Sequence, residues 1–322
     1  ESLLKEAYSL GRQSNQNWTA VTAAGWLGLI AIQRGRLSQA LQQVEEALKR
    51  AGSSPAAAIS HSFLGSFLYE RNDLDLALSH INRAFELGSL LGAAPMAHEA
   101  TQYRLMLISL ARGDQAGGLE AMSQIDHWVA KDGTEAAKAR QAGYHLAFAL
   151  RSRDEQGASR WGQAVEDFGD MVPIDWRHLL IPLVILQGRK DQVEARIRAF
   201  YESLHAEYLS PEWPYWRIKA RMYQALAAPG WSEAREPFAE ALALARPERY
   251  IRLFVDEGLS LVPQLRKAVS EGIEARFAAT LLTIIEAEDR LTGGVKVSDR
   301  TTGAPGLLSG RELEVLRLVA AG

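Results

Sequence analysis

The 322-residue chain contains no cysteine, which excludes disulfides and thiolate metal sites. Strand signals are nearly missing: no stretch sustains apolar–polar alternation, and no Asn-Gly pair marks a hairpin. Long apolar runs are missing as well. The longest, such as Leu179 to Leu186, fall far short of the roughly 20 residues that a membrane-spanning helix needs, and the N-terminus has no signal-peptide layout. Positive charge is not in excess: 36 Lys and Arg against 39 Asp and Glu leave a formal net charge of −3, which offers no surface built for a phosphate backbone. Enzyme motifs are absent too. There is no Gly-x-x-x-x-Gly-Lys-Ser/Thr loop, and His98-Glu99 has no second histidine four residues on. No Gly-x-Ser-x-Gly elbow occurs, so no catalytic residue and no metal site are expected.

Helix formers fill the space that these absences leave. Ala, Leu, Glu, Gln and Arg dominate, and apolar residues recur every three or four positions. The helices repeat in pairs. Gly28, Gly35, Ala40, Val44 and Ala47 return, each 37 residues later, as Gly65, Asn72, Ala77, Ile81 and Ala84. Further turns open at Gly113-Asp114, Arg153-Asp154, Gly188-Arg189 and Pro229-Gly230. One such pair cannot bury its own apolar faces, so an all-α solenoid of stacked pairs is the physical solution. Pro55, Pro95, Pro173 and Pro211 fall between helices or at their starts. Pro182 and Pro237 fall inside expected helices, where each must either kink its helix or mark a later start.

The spacing and small residues of these pairs resemble the tetratricopeptide repeat, with units longer than its consensus. Ser309 with Glu312 forms a capping box, and Leu308, Ser309, Arg311, Glu312, Glu314, Val315 and Leu316 resemble the opening helix of the LuxR-type helix-turn-helix domain. The wording from Ala245 to Gly258 resembles the segment that closes the repeats in MalT-like regulators, and two more helices are expected over 259–272 and 273–290. Taken together, the chain resembles the repeat domain of MalT-like LuxR-type ATP-dependent transcriptional activators. That resemblance implies three parts: a repeat (sensor) domain over 1–291, a Gly/Thr/Ser/Pro-rich linker over 292–306, and the truncated start of a helix-turn-helix domain over 307–322. It also implies a small-molecule inducer, ATP bound by an N-terminal domain lying outside this fragment, promoter DNA, self-association and a cytoplasmic setting. No cofactor is expected within the fragment itself.

In the repeat pattern that the chain resembles, the second, fifth, ninth and twelfth residues of each first helix face inward. Carried over, this places Thr22, Gly25 and Leu29, then Ser62, Ser66 and Tyr69, then Tyr103 with Leu107 on the concave face. Arg140, Asp175 with His178, and Trp216, Lys219 and Tyr223 continue the series. Tyr69, Tyr103, Arg140, Asp175, His178, Trp216, Lys219 and Tyr223 are therefore the candidate ligand-binding residues. Aromatic platforms with a few charges suit a small polar organic ligand, with Arg140, His178 and Lys219 available to a carboxylate or phosphate. Taken singly, each of these aromatics fits packing between neighbouring repeats better than ligand contact, and the dispersed Trp18, Trp26, Trp128, Trp161, Trp176 and Trp231 read as core. Two functions stay open: an effector sensor, or a scaffold whose groove binds a regulatory protein or peptide.

Overall fold

A computed structural model describes residues 1–14, 16–90, 95–204 and 213–292, with the side chains of residues 95–98, 175 and 292 left aside. The linker and the LuxR-like wording lie outside the described residues. After α1 (Ser2–Gln13), six helix pairs follow in order. The first three are α2 (Asn17–Gln33) with α3 (Leu37–Ala51), α4 (Ala57–Glu70) with α5 (Leu74–Ser89), and α6 (Pro95–Ala111) with α7 (Gln115–Asp132). The fourth is α8 (Glu135–Arg151) with α9 (Glu155–Phe168). The fifth has a broken first helix, α10 (Ile174–Arg177) and α11 (Leu180–Leu186), and a second helix α12 (Val193–Ser203). The sixth is α13 (Pro214–Ala227) with α14 (Trp231–Ala245). Three helices end the described chain: α15 (Arg252–Val255), α16 (Val262–Ser270) and α17 (Ala275–Thr292). No strand occurs among the described residues. The fold is a tetratricopeptide-like solenoid, as the periodicity requires.

Each turn between paired helices falls where the sequence opens one. Gly35, Asn72, Gly113, Arg153 and Gly188 all take positive φ there, between 56° and 79°. Glycine adopts this left-handed geometry freely, and asparagine tolerates it. Arg153 gains nothing from its side chain in this respect, so its neighbours hold it in place. Asp114, Thr134 and Asp154 then cap the next helices, each accepting a bond from the backbone N–H three residues on. The sixth turn differs: Gly230 is extended, at φ −155°.

The two internal prolines behave differently. Pro182 is the third residue of α11, where an N–H would have no partner anyway, so that helix starts later than its apolar pattern suggests. Pro237 stays inside α14 on the buried face, and the carbonyl of Glu233 loses its helical partner.

Small residues set the spacing within pairs. A Cβ at Gly65 would lie 2.7 Å from Ile81 Cδ1 and 3.1 Å from the Ala77 carbonyl oxygen, too close for α4 and α5 to keep their distance. Gly65→Val is expected to lower unfolding stability by about 1–3 kcal/mol through overpacking, read from urea melts. An unchanged midpoint would show that the two helices separate freely.

The superhelix comes round on itself. Pro214 of α13 packs on Gly35 in the first turn, where an added Cβ would sit 2.9 Å from the proline Cβ. The following segment runs along the C-terminal ends of the first helices. Ser38 N–H donates to Glu248 Oε2 at 2.7 Å, Tyr250 O–H donates to the Ile32 carbonyl at 2.6 Å, and Ile251 N–H donates to the Glu70 carbonyl at 3.0 Å. One apolar core therefore extends from Ile32 through Phe254 to Ile285. The wording from Ala245 to Gly258 closes the repeats through these three bonds to α2, α3 and α4, one of them backbone to backbone.

Candidate functional site

The closing segment covers one rim of the inner face and leaves a deep cavity of roughly 650 Å³ behind it. Its walls come from the C-terminal halves of α2, α4 and α8, from α6 and α13, and from the broken helix α10–α11. Residues 252–260 and the last turns of α17 complete it, through Ile285, Glu288 and Asp289. A cavity of this size, with aromatic walls and convergent polar groups, suits a small ligand.

Six of the eight candidate residues meet in this one space: Tyr69, Tyr103, His178, Trp216, Lys219 and Tyr223. Arg140 does not line it. Its guanidinium is held by Glu99, buried on α6, through bonds of 2.8 and 3.1 Å. The helical phase of α8 still leads inward, because Arg151, three turns further along the same stripe, is the arginine that reaches the cavity. The Asp175 side chain is not among those described.

Trp176, which reads as core from the sequence, belongs to the cavity wall. Its ring stands edge-on to Tyr103 at 4.6 Å and to Tyr144 at 4.8 Å. A Cβ at Gly143 would lie 2.7 Å from Trp176 Cγ, so that glycine admits the indole. In the aromatic run from Trp213 to Trp216 the two tryptophans take different places. Trp213 takes Arg34 over its ring at 5.4 Å and seals the seam to the first pair, while Trp216 packs on Phe200 at 4.9 Å and His178 at 5.4 Å and faces the cavity.

Below these rings lies a charged floor. Arg252 is 1% exposed. It donates to Asp256 at 2.8 Å, to Asn72 Oδ1 at 2.9 Å and to Glu288 at 2.5 Å, and its guanidinium lies 4.9 Å from the centre of the Tyr69 ring. Asp256 also receives the Tyr69 hydroxyl at 3.0 Å and Arg151 at 3.0 Å. Burial pushes the Asp256 carboxyl up, but Arg151, Arg252 and the Tyr69 bond outweigh it and hold the carboxyl below its usual range. Glu288 shares Arg252 with Asp256, and there burial wins and raises the carboxyl. Glu257 accepts the Tyr223 hydroxyl at 2.8 Å and is also raised by burial. Lys219 Nζ lies 3.0 Å from His178 Nε2, and burial lowers its amine. Three polar atoms in the lining have no hydrogen-bond partner among the described residues: Glu70 Oε2, Arg151 Nε and Trp216 Nε1. Buried polar atoms are rarely left so.

Sequence reasoning missed Glu70, Arg104 and Arg151. All three stand on first helices: Glu70 and Arg104 directly follow the selected Tyr69 and Tyr103 on α4 and α6, and Arg151 lies at the far end of α8 from Arg140. Among the described residues, no group of three His, Asp or Glu is placed to hold a metal, and no helix is long and apolar enough to cross a membrane.

One titratable pair lies away from the cavity. His61 and His80 bring their Nδ1 atoms to 2.8 Å between α4 and α5. Burial, then the His80 charge, lowers His61 from 6.5 to about 4. A histidine with a lowered folded value stabilises the fold fully above its unfolded value, and this contribution is lost as pH falls through the window from 6.5 to about 4. The thermal midpoint is therefore expected to drop across that window, and to drop less in the His61→Gln, His80→Gln double variant. Equal slopes in both proteins would remove the pair from acid sensitivity.

A comparison with curated proteins found no match. The family model of the MalT-like TPR region matches residues 1–271, a span that holds all six helix pairs and the closing segment, and the chain therefore belongs to the MalT-like TPR region family.

Proposed function

We propose that the cavity is the effector site of a MalT-type transcriptional regulator, and that a small molecule bound there biases the position of α17. The observation that carries this reading is the composition of the cavity wall. Glu288 and Asp289 of α17 line the same space as the aromatic residues of α6, α10 and α13. The last turn of α17 is held by Arg252 and Arg151 through Glu288, and by Arg153 through Asp289 at 3.8 Å. A ligand that engages Arg151 or displaces Glu288 therefore acts directly on the helix that leads into residues 293–322. Coupling of this kind needs only different ligand affinities for two arrangements of α17.

In the LuxR-type activators that the chain resembles, such a shift would alter how an ATP-binding domain and a promoter-binding helix-turn-helix domain associate and self-assemble. Those partners, and a cytoplasmic setting, belong to this proposal. A peptide scaffold is the weaker reading, because the closing segment runs across one rim of the inner face, where an extended peptide needs an open groove.

Hydrogen exchange tests the route. A compound that raises the melting temperature is expected to change amide protection at residues 285–292. A compound that binds in the cavity and leaves that protection untouched would separate binding from α17 and overturn the proposed transmission.

A further inference from the structure

The polar groups that the cavity leaves without partners narrow the ligand class; this step rests on the effector-site reading. Glu70 is fixed through its backbone, where its carbonyl accepts from Ile251 N–H at 3.0 Å, yet its Oε2 has no partner. Arg104 and Lys219 are the two cations whose charges act most strongly on Glu70, but neither bonds its Oε2. Arg104 instead lies 5.2 Å from the centre of the Tyr103 ring, and Lys219 rests on the His178 imidazole. One helical turn before Lys219, Trp216 is 4% exposed and its indole N–H has no acceptor. An acceptor and three donors thus face one space without satisfying each other.

The charge balance of the lining sharpens the point. It holds five basic side chains, not counting histidine, and five acidic ones. A monoanion entering would pair with Arg104 and Lys219 and leave Glu70 beside it, unpaired. A monocation would do the reverse. A neutral polyol would satisfy hydrogen bonds but bring no opposite charge to Glu70, Arg104 or Lys219. We propose that the ligand is a small zwitterion, an α-amino acid or short peptide with a bulky apolar side chain. Its ammonium meets Glu70, its carboxylate meets Arg104, Lys219 and the Trp216 N–H, and its side chain lies against Tyr103 and Trp176. Such a ligand supplies the partners that Glu70 Oε2 and Trp216 Nε1 lack and leaves the net charge of the cavity unchanged.

Calorimetric titration of the whole chain decides this. The probes are L-phenylalanine, L-tryptophan and the dipeptide Leu-Phe, against phenethylamine, 3-phenylpropionate and sucrose. At least one zwitterion is expected to bind on the order of tenfold or more tightly than either single-charge analogue, the size of one charged hydrogen-bonded contact. Glu70→Gln is expected to erase the preference of that zwitterion over 3-phenylpropionate, and Arg104→Gln its preference over phenethylamine. If a variant fails to fold, the analogue series on the unmodified protein decides alone. The inference is overturned if the analogues bind as tightly as the zwitterions, if only sucrose or the acid binds, or if no zwitterion binds. In the second case the effector site stands with a different ligand. If sugars, organic acids and nucleotides also fail to bind, the effector-site reading itself falls.

Discussion

Arg252→Met is expected to lower unfolding stability by about 3–5 kcal/mol, the size of effect seen when one partner of a buried ion pair is removed. Arg252 is 1% exposed, and its guanidinium serves Asp256, Glu288, Asn72 and the Tyr69 ring at once. Without it, two carboxylates remain in a buried site with Arg151 as their shared cation. The exposed pair of Arg83 with Glu86, at 2.7 Å, is the control: Arg83→Ala is expected to change stability by less than about 1 kcal/mol. Urea denaturation measures both. A loss below about 1 kcal/mol for Arg252→Met would mean that the closing segment is not held by this cluster.

The cluster also fixes a sign in the pH dependence. The Asp256 carboxyl is held below its ordinary value of 3.8. Its contribution is therefore complete above 3.8 and disappears as pH falls through the lower folded value. Asp256→Asn is expected to remove that part of the acid sensitivity.

Lys219→Met is the second prediction, and its two readouts move in opposite directions. Burial lowers the Lys219 amine below 10.5. The charged form therefore destabilises the fold at neutral pH, and that loss is recovered as pH rises towards 10.5. Methionine has similar reach and no charge, so the variant is expected to match or exceed the unmodified protein in stability, by up to about 1 kcal/mol. Ligand affinity is expected to fall on the order of tenfold or more, because a charged donor is lost from the site. A residue kept for packing alone would show the reverse: lower stability and unchanged binding.

The fold was legible because helix pairs leave local marks. The small residues at Gly28 and Gly65 and the turn residues from Gly35 to Pro229-Gly230 placed six pairs, including the degraded fourth at Arg153-Asp154. The broken fifth helix was less legible, since the apolar run from Leu179 to Leu186 does not show the break between Arg177 and Leu180. For the cavity, the inner phase of each first helix brought Tyr69, Tyr103, His178 and the α13 residues to one place. Phase does not give depth along a helix, which is why Arg140 points at Glu99 and Arg151 reaches the cavity. Nor does it give what the chain adds later. Glu70 and Arg252 acquire their surroundings only when residues 246–260 return across the first two pairs, a contact separated by about 180 residues in the chain.

The central claim is that this cavity binds a small molecule. Thermal unfolding of the unmodified protein and of Lys219→Met, across sugars, organic acids, aromatic acids, amino acids and nucleotides, tests it most directly. One chemical class is expected to raise the unmodified protein's midpoint saturably, equivalent to about 2.7 kcal/mol at a hundred times Kd, and to raise Lys219→Met by no more than about 1.4 kcal/mol at the same concentrations if its affinity falls tenfold or more. Equal rises in both proteins would place binding elsewhere, and no rise with any class would contradict the claim.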